Sequence, residues 1–126
     1  MVILLILGGC SDQKGNINVN STKNIIRITI KTQPGGDSSL KATENKEQIT
    51  EIVNYINSLD LKKATGNPDE YVGMSYIITI YFDDKTSAKY VHLGNKYFKE
   101  LGEKWYEMTY EKAERLDDIY SSLDRK

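Results

Sequence analysis

The chain has little cysteine, histidine and proline: its 126 residues include one Cys, one His and two Pro. A single cysteine forms no disulfide within the chain, so we expect the fold to be stabilised by packing alone. One histidine and one cysteine do not give the ligand spacing of a zinc site, and no calcium loop or phosphate-binding glycine loop is present. We therefore expect neither a metal nor a cofactor.

The sequence also lacks a block of charge of one sign. It has 17 basic and 18 acidic residues, with a net charge of −1, and the two signs are mixed along the chain. Binding to phosphate backbones needs a concentrated basic face, so the pattern argues against nucleic acid as a partner. No apolar run reaches the roughly 18 residues that a membrane-spanning helix requires.

A short apolar segment does open the chain, and it ends at the only cysteine. Met1–Ile6 (MVILLI) is followed by Leu7-Gly8-Gly9-Cys10 and then by polar residues. This resembles a bacterial lipoprotein signal, in which small residues precede a cysteine that becomes the lipidated N-terminus. The resemblance implies that residues 1–9 are a signal remnant and that acyl chains on Cys10 hold the protein on the outer side of the cell membrane. The alternative is a buried N-terminal strand that ends in Gly-Gly-Cys.

The residues after Cys10 divide into a tether and one domain. Residues 11–23 (SDQKGNINVNSTK) are polar and without periodicity, which predicts a flexible tether spanning roughly 20 Å. Residues 24–126 then form a single domain, long enough for one hydrophobic core.

Apolar periodicity places the first strand and the first helix. Residues 24–32 (NIIRITIKT) alternate, which predicts a half-buried strand ending at the Pro34-Gly35-Gly36 turn. A helix then begins after Asn45, with Gln48 in the capping-box position and an apolar stripe at helical spacing. The stripe consists of Ile49, Ile52, Val53, Ile56 and Leu59.

A hairpin follows, formed by residues 75–82 and 87–93 around the Asp83–Thr86 turn. A two-residue loop at Asp84-Lys85 predicts that Thr79 faces Tyr90, that Ile77 faces His92 and that Ile78 faces Val91.

The end of the chain predicts a short strand at Tyr97–Phe98, another at residues 104–108, and a helix from Tyr110 to about Leu123 that Thr109 caps. Trp105 and Tyr106 would then fix this helix to the sheet. The elements together predict an α+β fold, an antiparallel sheet of about four strands with two helices packed on one face, in the order strand, helix, strand, strand, short strand, helix.

The sheet face without helices, called the open face below, supplies the candidate site. An antiparallel sheet can leave one face to solvent, and tyrosines on such a face are typical of binding surfaces. The core face would carry Ile26, Ile28, Ile30, Tyr76, Ile78, Ile80 and Phe82. The residues predicted to contact a ligand or partner on the open face are Arg27, Ile77, Tyr81, Tyr90 and His92.

No catalytic set of residues is evident. His92 would need a nucleophile and a carboxylate beside it, and the sequence places neither. Asp83-Asp84 is better explained by a turn and Asp117-Asp118 by a solvated helix surface. We expect no catalytic residues.

Four segments carry a further resemblance. Ile26–Lys31, Gln48–Leu59, Tyr76–Leu93 and Trp105–Thr109 match in order and hydrophobicity a group of small extracytoplasmic domains of unknown function in Gram-positive Firmicutes. Some of these are free lipoproteins, and similar domains are attached to membrane-embedded sensor peptidases related to β-lactam receptors. The resemblance implies an extracytoplasmic location and no known reaction.

The first hypothesis is accordingly a lipid-anchored, non-catalytic binding domain for an extracytoplasmic protein, a peptide or a wall-derived ligand. The alternatives are an inhibitor or sensor-associated module that acts on an extracytoplasmic peptidase or receptor, and a small hydrolase.

Overall fold

The structure, a computed structural model, describes Val19, Thr22, residues 24–71 and residues 73–125. It shows an α+β fold in which helices cover one face of a single antiparallel sheet. The predicted signal and Cys10 lie outside the described residues.

The sheet has eight strands in the order β3-β7-β6-β5-β4-β1-β2-β8. The prediction of about four strands was therefore wrong, and so was the predicted element order. The strands that it missed, β2, β3 and β8, have two or three residues each, too few to show an alternating pattern. The strands are β1 (Ile25–Gln33), β2 (Lys41–Thr43), β3 (Lys62–Lys63), β4 (Ser75–Phe82), β5 (Ser87–Leu93), β6 (Tyr97–Glu100), β7 (Tyr106–Glu107) and β8 (Asp124–Arg125).

Helix α1 (Lys46–Ser58) begins as the sequence predicts. The Asn45 side chain accepts a hydrogen bond from the Gln48 backbone N–H at 3.0 Å. The return half of the capping box passes through Thr43, whose hydroxyl donates to the Gln48 side chain and accepts from the Asn45 N–H. The cap thus joins the helix to the end of β2.

The predicted C-terminal helix is broken at Glu114. It forms α2 (Tyr110–Ala113) and α3 (Arg115–Ser121). The Asp117 N–H donates to the Glu114 carbonyl, three residues back, so the Ala113 carbonyl does not receive this helical bond. That carbonyl is therefore available to accept a hydrogen bond from a side chain in the core.

The three helices, called the helix layer below, enclose one hydrophobic core against the sheet. The apolar stripe of α1 and the inner side of α3 meet the core face, as predicted. The largest apolar side chains with less than 2 % exposure are Tyr55, Phe98, Ile28, Ile30, Ile52, Ile56, Ile78, Ile80 and Leu116.

Strand β1 contains a bulge that displaces Ile26. Ile25 pairs with Phe82 and Arg27 pairs with Tyr81, so Ile26 is the extra residue. Ile26 is 53 % exposed, whereas Ile25 is buried. The expectation that Ile26 lies in the core was wrong, because alternation holds only from Arg27 onward.

Strands β4 and β5 form the predicted hairpin around a longer loop than predicted. The Phe82 N–H donates to the Thr86 carbonyl at 2.9 Å, which leaves the three residues Asp83–Lys85 in the loop. Lys85 has a φ of 75°, in the left-handed region. This is the usual form of a three-residue hairpin loop, so the predicted two-residue loop was wrong.

The extra loop residue exchanges the two faces of β5. Tyr90 pairs with Ile78 and His92 pairs with Tyr76, each one residue away from the predicted register. Side chains alternate between faces, so a shift of one residue moves every side chain of the strand to the other face. The prediction that Tyr90 and His92 lie on the open face was wrong.

Val19, within the segment predicted as the tether, packs in the core. Its backbone N–H donates to Asn57 Oδ1 at 2.7 Å, and Asn57 Nδ2 donates to its carbonyl at 3.0 Å. The Asn57 amide on α1 thus pairs with the backbone of Val19 much as a neighbouring strand would. Eight residues, 11–18, separate Cys10 from this contact.

Candidate functional site

The structure divides the five predicted ligand-binding residues between the two faces of the sheet. Arg27, Ile77 and Tyr81 lie on the open face, on the neighbouring strands β1 and β4. Tyr90 and His92 lie on the core face and are buried. Only the first three can contact a ligand on the open face.

His92 belongs to a buried hydrogen-bonded chain between the sheet and the helix layer. Its Nε2 lies 2.7 Å from the Tyr55 hydroxyl, which is 2.8 Å from the Ala113 carbonyl oxygen. That carbonyl is the one left available by the helix break at Glu114. A carbonyl can only accept, so the Tyr55 hydroxyl donates to it and must accept from an Nε2–H of His92.

This series of hydrogen bonds requires the imidazole of His92 to be neutral. With the proton on Nε2, Nδ1 is an acceptor, and it is buried without a hydrogen-bond partner among the described residues. The rings of Tyr76 and Phe98 contact the imidazole edge-to-face. Burial lowers the pKa of His92 from its ordinary value of 6.5 to about 4.

His92 is 1 % exposed, so its ring does not reach the surface. Its hydroxyl neighbour, Tyr55, donates its proton to a backbone carbonyl, and burial raises the pKa of that hydroxyl. The geometry gives His92 a structural part in joining β5 to α1 and α2.

A second polar contact joins the sheet to α3. The Tyr76 hydroxyl donates to Asp117 Oδ1 at 2.6 Å, and burial together with this hydrogen bond raises the pKa of Tyr76. Asp117 is exposed, as predicted for a solvated helix residue, and this hydrogen bond also joins α3 to the sheet.

One end of the open face is covered by the chain itself. Tyr97 of β6 is buried there, edge-to-face against Tyr71 and Trp105. The Tyr71 hydroxyl donates to the Gly94 carbonyl, and Lys99 lies over the Trp105 ring at 4.6 Å. Trp105 therefore packs on the open face, and the expectation that it fixes the last helix was wrong.

The uncovered end of the open face forms a shallow depression of about 190 Å³, called the basic depression below. It lies over β1, β4 and β5 and is bordered by the turn that follows β1. Its lining contains three cationic side chains and one acidic side chain. The lining residues are Arg27, Thr29, Lys31, Asp37, Leu40, Ile77, Thr79, Tyr81 and Lys89.

The cations of the basic depression have few partners within the chain. Arg27 and Lys89 form no ion pair with another described residue. The Arg27 guanidinium lies 5.8 Å from the Tyr81 ring centroid, and its Nε is buried without a hydrogen-bond partner in the described part of the chain. Lys31 meets Asp37 at 3.8 Å, a long contact to a carboxylate that is 98 % exposed.

The centre of the basic depression is a pair of threonines. Thr29 and Thr79 pair directly across β1 and β4, and each is less than one-tenth exposed. In the described part of the chain, neither hydroxyl is hydrogen-bonded to another side chain or to the backbone. Lys89 was not among the residues predicted to lie on this face. The predicted hairpin register was wrong by one residue, and it therefore directed Lys89 to the opposite face of the sheet.

A second depression, of about 170 Å³, lies beside the start of α1 and includes Thr22, Ile25 and Lys46. Within the described ranges, no group of three or more His, Cys, Asp or Glu side chains is placed to hold a metal ion. The helices of that part are also too short and too polar to cross a membrane.

No family model, no curated protein and no solved structure matches this chain. Its function is therefore inferred from the geometry and charge of the basic depression.

Proposed function

We propose that the protein is a non-catalytic binding domain, held on the outer side of the cell membrane by acyl chains on Cys10, which binds its ligand through the open face. The observation that carries the binding half is the basic depression. There Ile77 and Tyr81 lie, partly exposed, beside Arg27 and Lys89, neither of which has an ion-pair partner among the residues that the structure describes. Unsatisfied cations beside tyrosine and isoleucine are a combination that interfaces use.

The position of Val19 supports the way in which such a domain would be presented. Val19 is hydrogen-bonded to Asn57 of α1, in the helix layer, on the side of the sheet opposite the open face. The nine-residue step from Cys10 to Val19 reaches about 30 Å at most. The proposed anchor thus keeps the domain close to the membrane and leaves the basic depression accessible to other molecules.

The ligand proposed is an extracytoplasmic molecule: a protein, a peptide or a component of the cell wall. No residue is assigned a catalytic part, because the one histidine is used within the core. The resemblance to extracytoplasmic Firmicute domains, some of them lipoproteins, supports the same location.

The anchoring half is tested by metabolic labelling of cells with an alkyne fatty acid. We expect the full chain to incorporate the label and to sediment with membranes, and we expect Cys10→Ser to lose both properties. Two acyl chains supply the double signal that stable anchoring needs. An unlabelled chain that retains residues 1–9 would contradict the proposal.

A further inference from the structure

The centre of the basic depression contains two threonine hydroxyls that have no hydrogen-bond partner among the described residues. Thr29 and Thr79 are 5 % and 6 % exposed. Neither hydroxyl oxygen is among the fully buried polar atoms without a partner, so both are accessible from the depression. Both side chains lie in the lining of the depression, where a ligand could accept hydrogen bonds from their hydroxyls.

Three cations surround this threonine pair. Lys89 pairs directly with Thr79 across β4 and β5, while Arg27 and Lys31 flank Thr29 two residues away on β1. Neighbouring strands are about 4.8 Å apart and alternate residues of one strand about 7 Å, so each cationic side chain can extend over the threonines. Three cationic side chains are therefore within reach of the threonine pair, from three sides.

Arg27 is held in place for such contact. Its guanidinium lies against the Tyr81 ring, which restricts its position while leaving its N–H donors available. Arginine presents a planar set of donors that matches the oxygens of phosphate. Its Nε, buried and without a partner, is one more donor for an acceptor that the chain does not supply.

We propose that the basic depression binds a phosphoryl group, either as free phosphate or as part of a larger phosphate ester. This rests on the proposed function and names the chemistry of the ligand. The tetrahedral group offers several charged oxygens in different directions, which suits two hydroxyls and three cations around one centre. A carboxylate has two oxygens in one plane and would leave donors unmatched.

Within the protein, Asp37 competes with an anionic ligand for Lys31. It is the acidic side chain in the lining, and it pairs with Lys31 at 3.8 Å. An arriving anion takes Lys31 from Asp37 and meets repulsion from that carboxylate. Asp37→Asn should therefore strengthen phosphate binding, whereas loss of Lys89 should weaken it.

The test is a titration of the full chain carrying Cys10→Ser, followed by the backbone amide resonances in NMR. The probes are inorganic phosphate and dimethyl phosphate, which represent the free anion and the diester, and acetate at equal ionic strength. We expect saturable shifts at Thr29, Thr79 and Lys89. Lys89→Met should weaken binding about tenfold, as expected for loss of a charged hydrogen bond. The matched control is Lys62→Met, an exposed lysine of the edge strand β3, which should bind as the wild type does.

Saturation by either phosphate probe supports the site, and the stronger of the two identifies the source as free phosphate or as an ester. Absence of saturation, equal or tighter binding of acetate, or equal weakening by Lys89→Met and Lys62→Met would overturn it. The outcome is separable from that of the proposed function. A ligand at the cell surface that contacts Tyr81 while phosphate fails to bind would reject the phosphoryl group and keep the binding domain.

Discussion

His92 shows that a residue of a type common in catalytic sites can instead belong to the core. The imidazole donates from Nε2 to Tyr55, and its other nitrogen has no partner among the described residues. A charged ring in this place would carry a second N–H with no acceptor and would have lost its hydration. The neutral ring is therefore the form compatible with the fold.

The resulting pH dependence has a definite sign. The pKa of His92 is about 4 in the folded protein and ordinarily 6.5, so between these values the unfolded chain binds the extra proton. The contribution of neutral His92 to the free energy of unfolding is therefore fully present above pH 6.5 and is lost as the pH falls toward 4. We expect urea unfolding to show about 2 kcal/mol less stability at pH 5 than at pH 7.5.

The control for this measurement is His92→Phe, which keeps an aromatic ring in the core and cannot titrate. Acidic side chains ordinarily titrate below this pH window, so the variant should be nearly indifferent to the same change of pH. The same loss of stability in the variant and in the wild type would show that another group is responsible.

At the scale of elements, the β4–β5 hairpin determines which residues reach the open face. The Asp84 side chain accepts from the Thr86 N–H and hydroxyl, and these bonds lower the pKa of Asp84. Lys85 then takes a left-handed conformation to close the three-residue loop. The loop thus fixes the register that directs Lys89 outward and His92 inward.

The conformation of Lys85 can be tested by Lys85→Gly. Glycine adopts a positive φ without the steric cost that an L side chain carries, so the variant should be more stable by about 0.5–1 kcal/mol in urea unfolding. Lys104→Gly is the comparison, since Lys104 is an exposed loop lysine without a positive φ. If Lys85→Gly destabilised the protein as much as Lys104→Gly, the three-residue loop would be contradicted.

Many of the helices and strands can be predicted from the sequence, because long periodic segments indicate which side chains face the core. The first strand, α1 with its Asn45 cap, and both strands of the hairpin were predicted within one or two residues. The short strands β2, β3 and β8 and the break at Glu114 were not predicted. The break depends on a backbone carbonyl that bonds to Tyr55, a residue 58 positions away along the chain.

The candidate site depends on register rather than on element type. Arg27, Ile77 and Tyr81 were placed on the correct face because β1 and β4 alternate clearly. Tyr90 and His92 were misplaced because DDKT is compatible with both a two-residue and a three-residue loop. In β5, SAKYVHL has polar and apolar residues on both faces, so its pattern did not correct the error.

At the scale of the whole molecule, the fold separates charges that are mixed along the sequence. Alternation in the strands brings Arg27, Lys31, Lys89 and Lys99 to the open face. Acidic residues outnumber basic ones in the helix layer, where Glu47, Glu51, Glu111, Glu114, Asp117 and Asp118 lie. A net charge of −1 therefore conceals a basic surface, which composition alone does not reveal.

This separation also relates the proposed anchor to the proposed ligand site. Val19 contacts the acidic helix layer, and the basic depression lies on the opposite side of the sheet. We expect a ligand to approach from that opposite side. Tyr81 would contact it, whereas Tyr110, the exposed tyrosine of α2, would not.

The most direct measurement places a photo-crosslinking amino acid at position 81 or at position 110 of the full chain in living cells. We expect a discrete crosslinked product from position 81, reduced when Arg27→Met is added, and none from position 110. Equal products from both positions, or a product from position 110 alone, would contradict a ligand site on the open face.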